Sequence, residues 1–113
     1  MQTFNVARIL VDIEASPRPW HEFLRGAALS VGLYRLRAGQ DDPQQPHAED
    51  EVYYVLAGEA GFRAGEHQQR VQAGTLLFVE RTAEHRFFDV TEDLTLLVFF
   101  APPEGSRADA KDE

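Results

Sequence analysis

Residues 39 to 58 read GQDDPQQPHAEDEVYYVLAG. A polar segment punctuated by glycine and proline carries Gln45, His47 and Glu51, then runs into EVYYVLA, which has the β-branched and aromatic content of a strand. Side chains alternate faces along an extended chain, so Gln45 and His47, two apart, point the same way if this segment is strand-like. Glu51 does not join them by extension alone. At ~3.3 Å per residue it lies ~13 Å beyond His47, too far to share an ion whose bonds are near ~2 Å. A turn at Ala48-Glu49-Asp50 is therefore required, returning Glu51 as the first inward residue of the next strand. Tyr53 and Val55 then share its face, and Val52, Tyr54 and Leu56 face out. That outer set is too apolar for solvent and calls for a cover, either the N-terminal helix or a second subunit.

Working outward, residues 74 to 89 (GTLLFVERTAEHRFFD) bring His85 at the head of another strand-like run. The remaining segments WHEFL, LSVGLYRL, AGFRA, HQQRV, TLLFV and LTLLVFF are short, rich in Val, Leu, Phe and Tyr, and spaced by Gly, Asp or Pro. That rhythm predicts an all-β sandwich or barrel with consecutive strands antiparallel. Gly58-Glu59, Gly65-Glu66 and Gly74 sit where tight turns need positive φ. Val6, Ile9, Leu10 and Ile13 fall on one face of a short amphipathic helix, ended by Ser16-Pro17-Arg18-Pro19. Residues 1–27 are expected to be helix and first strand, 28–101 the barrel, and 102–113, after Pro102-Pro103, a disordered acidic tail of the same single domain.

The 39–58 stretch resembles the first motif of the cupin superfamily, G-x5-H-x-H-x3,4-E-x6-G, in every spacing, with Gln45 in place of the first histidine. The second cupin motif, G-x5-P-x-G-x2-H-x3-N, is similar to Gly74, Glu80, Thr82, His85 and Asp89, of which Gly74 and His85 match strictly. The resemblance spans roughly residues 28 to 100. It implies a double-stranded β-helix, or jelly-roll barrel, and a metal site made of Gln45, His47, Glu51 and His85, with Glu51 also a candidate catalytic base. Two imidazoles, a carboxylate and an amide oxygen suit a divalent Zn, Fe, Mn or Ni ion without choosing among them. Gln45 is either a weak ligand or a neighbour of the site, and a metal-free pocket is the alternative. Tyr34, Tyr53, Phe78 and Phe87, with Arg35, are expected to line the pocket, subject to strand register.

Composition narrows the partners. Nineteen acidic against eleven basic residues give a formal charge of −8, with no basic cluster, which argues against nucleic acid because a polyanion is repelled. There is no apolar run long enough to span a membrane and no basic-then-apolar leader after Met1, so a cytoplasmic protein without membrane contact is expected. The absence of cysteine removes disulfides and thiolate ligands, leaving nitrogen and oxygen to hold any metal. The expected function is metal-dependent chemistry on a small molecule, dioxygenase-like or isomerase-like. The alternatives are a non-catalytic small-molecule or metal-binding module, and a dimerisation scaffold. A homodimer is expected in each case.

Overall fold

The computed structural model describes residues 1–44 and 46–106. Helix α1 (Val6–Asp12) is capped by Asn5, whose side chain accepts from the Arg8 amide at 3.0 Å, satisfying one of the free donors at a helix start. Six antiparallel strands follow: β1 (Trp20–Arg25), β2 (Ser30–Leu36), β3 (Asp50–Ala64), β4 (His67–Gln72), β5 (Leu76–Val79) and β6 (His85–Ala101). Their spatial order is β1-β2-β6-β3-β4, with β5 added to the first half of β3. The all-β expectation and the short N-terminal helix are both met. No helix among the described residues is long and apolar enough to cross a membrane.

The sheet is built on β3 and β6, which pair from Asp50 opposite Ala101 to Ala64 opposite His85. The expected turn at Gly58-Glu59 is not one: β3 continues through it, and the runs HRFFDV and LTLLVFF are likewise one strand. Three register shifts between Val55 and Gly61 bend the pair instead. Gly58 serves that bend, with φ +97° and a position where a Cβ would overlap the Asp93 carbonyl oxygen. Gly65 and Gly74 do occupy turns, with φ +59° and +95°. Consecutive strands are not always neighbours, since β6 lies between β2 and β3.

Alternation along β3 sorts the core. Glu51, Tyr53 and Val55 are buried inside, whereas Val52, Tyr54 and Leu56 face out, as expected. Tyr53, Phe62 and Phe87 form an aromatic cluster, with Phe87 4.7 Å from Phe62 and 5.0 Å from Tyr53 between ring centroids. Each such ring stabilises the fold by roughly 1.5–3 kcal/mol through burial. Phe78 is a correction to the expected pocket lining. Register puts Val79 opposite Glu51 and Phe78 opposite Val52, so Phe78 falls on the outer face and is 61% exposed.

Arg35, on the outward side of β2, donates Nη2 to the carbonyls of Ile13 and Ser16, so its guanidinium anchors the segment that follows α1 and is not among the residues lining the cavity that holds Glu51. No residue of α1 is fully buried. Part of the expected 102–113 tail falls on described residues. Through Ser106 the chain is packed, with Pro103 buried, the Glu104 amide on Ser30 Oγ at 2.9 Å and the Gly105 amide on Glu49 Oε1 at 3.2 Å. Residues 107–113 of the expected tail lie outside the described residues.

Candidate functional site

A cavity of about 340 Å³ lies between the 43–47 loop and the inner faces of β1, β2, β3 and β6. Its lining includes Trp20, Tyr34, Gln44, His47, Glu51, Tyr53, Phe100 and Glu104. Three of the expected site residues meet there or beside it. Glu51, the second residue of β3, is 1% exposed, and His85, the first of β6, places Nε2 3.0 Å from Glu51 Oε1. His47 reaches the same cavity from the loop, its ring edge-on to Phe100 at 4.8 Å. Residues 46–49 are in no strand, so His47 is placed by contacts rather than by alternation; its carbonyl accepts from the Thr82 amide at 2.7 Å. Gln45 lies outside the described residues. Among the described residues, no three His, Asp or Glu side chains gather closely enough to hold an ion.

Tyr34 and Tyr53 line the cavity, while Phe87 packs against Tyr53 and is not among the lining residues. His21 turns away from the cavity: its pairing opposite Leu33 puts it on the outer side, and its Nε2 contacts the Arg18 carbonyl.

The sequence reading missed Asp42, the residue that orders this site. Asp42 is 3% exposed and accepts four hydrogen bonds: Tyr34 Oη at 2.7 Å, the Gln44 amide at 3.1 Å, Gln44 Nε2 at 2.9 Å and the Phe87 amide at 2.9 Å. Those bonds fix proton positions along a chain. With Gln44 Nε2 committed to Asp42, Gln44 Oε1 faces Tyr53 and accepts its hydroxyl proton at 2.7 Å. The Tyr53 oxygen is then an acceptor toward His85 Nε2, 3.0 Å away. His85 Nδ1 is 2.8 Å from the Ala83 carbonyl, which can only accept. Both ring nitrogens therefore carry protons, and His85 is an imidazolium.

The charge balance agrees with that assignment. Burial alone lowers the His85 pKa, but the Glu51 carboxylate, the Ala83 carbonyl and the negative charge of Asp42 outweigh it and hold the ring above its ordinary 6.5. Burial first, then Asp42, raises the Tyr34 hydroxyl far out of the physiological range. Burial and the Glu51 charge do the same to Tyr53. Both phenols stay neutral donors.

Glu51 is the exception in this network. The His85 Nε2–H is aligned on Tyr53, so Glu51 Oε1, 3.0 Å from Nε2, faces the imidazolium's charge without an aligned hydrogen bond, and Oε2 has no partner among the described residues. A buried carboxylate left this way costs about 1–3 kcal/mol or more. It is therefore a place where a ligand gains. The donor atoms fit a metal: 3.0 Å between Nε2 and Oε1 is the separation of adjacent ligands around an ion with ~2.1 Å bonds. A histidine that gives its other N–H to a carbonyl is also oriented as metal-binding histidines are.

Comparison with known proteins agrees with this architecture. The chain is 39% identical over 104 residues to an uncharacterized protein of Streptomyces coelicolor, covering 92% of this chain and 99% of that one. The crystal structure of TT1209 from Thermus thermophilus superimposes with a TM-score of 0.71 at 27% identity, covering 91% of this chain and 99% of that one. An RmlC-like cupin of Methanocaldococcus jannaschii with a double-stranded β-helix fold gives 0.66 at 12% identity, over 77% of this chain and 84% of that one. The family description "Cupin domain" matches residues 32–100, the span that holds β2 to β6 up to Phe100, and with it this chain belongs to the cupin family.

Proposed function

We propose that this cupin binds a divalent metal ion at Glu51 and His85, with His47 and Gln45 completing the set, and takes a small molecule in the adjoining cavity. The observation that carries the reading is Glu51, buried, without an aligned partner, and facing the cavity beside His85. When bound, a divalent ion supplies a Lewis acid to a chelating oxygen of the ligand. The protein's own groups do the rest. His85 would hold the ion through Nε2 after losing the proton there, its ring kept oriented by Nδ1–H on the Ala83 carbonyl, while Gln44 fixes the Tyr53 hydroxyl beside it and Glu51 is the base for a ligand proton when it is off the metal. Aromatic walls exclude water. Dioxygenase-like or isomerase-like chemistry is the class this donor set supports, with zinc, iron, manganese and nickel all suited.

The test is metal content of protein purified without chelator, together with thermal shifts on adding Zn, Mn, Fe(II) or Ni. One ion per chain is expected, lost in Glu51→Gln and His85→Ala folded proteins. Substoichiometric metal with unchanged melting overturns the metal and leaves a metal-free binding module, the second reading, favoured by the finding that the described ligands do not gather as placed.

The proposal extends to a second copy of the chain. Tyr54, Leu76 and Phe78 are 37%, 63% and 61% exposed on the outer face of β3 and β5, an apolar patch that a homodimer would cover. Sedimentation of wild type and Phe78→Asp distinguishes the cases: a dimer converted to monomer is expected, and a wild-type monomer at working concentration removes the dimer.

A further inference from the structure

The described residues lining the cavity include two carboxylates, Glu51 and Glu104, and no lysine or arginine. The nearby Arg25 is committed elsewhere: its guanidinium meets the Glu22 carboxylate at 3.0 Å and the Glu104 backbone carbonyl at 2.9 Å, and makes no ion pair with the Glu104 side chain. Aromatic groups make the walls. Trp20 stands edge-on to Phe100 at 5.8 Å and lies against Gly32, where a Cβ would overlap the indole. The indole is thereby held in one place by backbone rather than by flexible side chains.

The chemistry of a complementary ligand follows. An anion would lose its hydration beside the Glu104 carboxylate, while the charge of His85 is already set against Glu51. A neutral apolar molecule would leave Glu104 without a counter-charge. A cation meets the Glu104 carboxylate and aromatic walls, and the chain's charge of −8 raises its local concentration. A metal ion answers only part of this, because it engages Glu51 and leaves Glu104 and the indole unused.

We propose that the cavity selects organic ammonium compounds, their charged nitrogen held in an apolar envelope against Trp20 and Phe100 and balanced by Glu104. This names the ligand class for the cavity described above; it rests on that cavity being the ligand site and does not require the metal.

The experiment is calorimetric titration with choline and with its uncharged carbon isostere 3,3-dimethylbutan-1-ol, in chelator and again after zinc addition. Choline is expected to bind roughly tenfold tighter than the isostere. Glu104→Gln and Trp20→Leu, each checked for folding by circular dichroism, are expected to shrink that preference several-fold while Glu104→Gln leaves isostere binding unchanged. Equal or tighter binding of the isostere overturns the proposal, as does failure of both to bind at millimolar concentration. Zinc uptake without choline preference sinks the ammonium proposal and leaves the metal reading standing, whereas choline preference in a protein that takes up no metal does the reverse.

Discussion

Asp42 and Glu51 are both carboxylates, both buried at 3% and 1%, and both beside the same cavity, yet they are opposite in use. Asp42 accepts four hydrogen bonds and is saturated. Glu51 accepts none that is aligned. The first stitches the 41–49 loop to β2 and β6; the second is an open valence on β3. A buried charge that is fully satisfied holds structure together, whereas one left open costs stability unless something else offsets it.

The largest effect that would sharpen this contrast is expected from Asp42→Ala. It leaves the Tyr34 hydroxyl, the Phe87 amide and Gln44 without their acceptor, at a cost of about 3 kcal/mol or more, read as a lowered urea midpoint at unchanged slope. Asp42→Asn should cost less, about 1–2 kcal/mol, because one amide oxygen replaces two carboxylate oxygens and the amide hydrogens oppose donors. It should also free Gln44 to turn over, removing the reason for a proton on His85 Nε2. An NMR titration of the His85 ring is then expected to show a lower pKa than wild type, and an unchanged pKa breaks the chain drawn from Asp42 to His85.

Glu51→Gln should behave differently once His85 is neutral, above its folded pKa: there it should change the stability of the metal-free protein by no more than about 1 kcal/mol, since the group removed had no aligned bond to lose. Destabilisation as large as that of Asp42→Ala would erase the distinction. The smallest effect is in pH. The folded His85 pKa is raised above 6.5 by Glu51 and Asp42 despite burial, so its stabilising contribution is fully present below pH 6.5 and is lost as pH rises through the folded value. Metal-free wild type should therefore lose stability across that interval in denaturant titrations, and Glu51→Gln should lose less.

Much of the architecture was legible in local pattern. Alternation in EVYYVLA placed Glu51, Tyr53 and Val55 inside, and it did so because a strand has period two whatever it packs against. The same logic mistook Gly58 for a reversal. Positive φ is needed equally by a turn and by a bulge, and only the unbroken pairing of β3 with β6 tells them apart. Phe78 failed for a related reason: its facing depends on which residue of β5 sits opposite Glu51, a register that no property of TLLFV contains.

The site divides the same way. His47, Glu51 and His85 were named from the resemblance to the cupin motifs; the structure sets His85 beside Glu51 and brings His47 to the same cavity. Asp42 read as one more polar residue before a proline, and Glu104 as part of a charged tail. Their roles come from contacts made by chain segments distant in sequence, Asp42 with Phe87 and the 103–106 turn with Ser30 and Glu49. The sequence by itself determined the all-β class and the alternation that buries Glu51, Tyr53 and Val55. Tertiary structure alone decided which carboxylate is saturated and which stays open, since hydrogen-bond satisfaction depends on donors that only folding brings within about 3 Å.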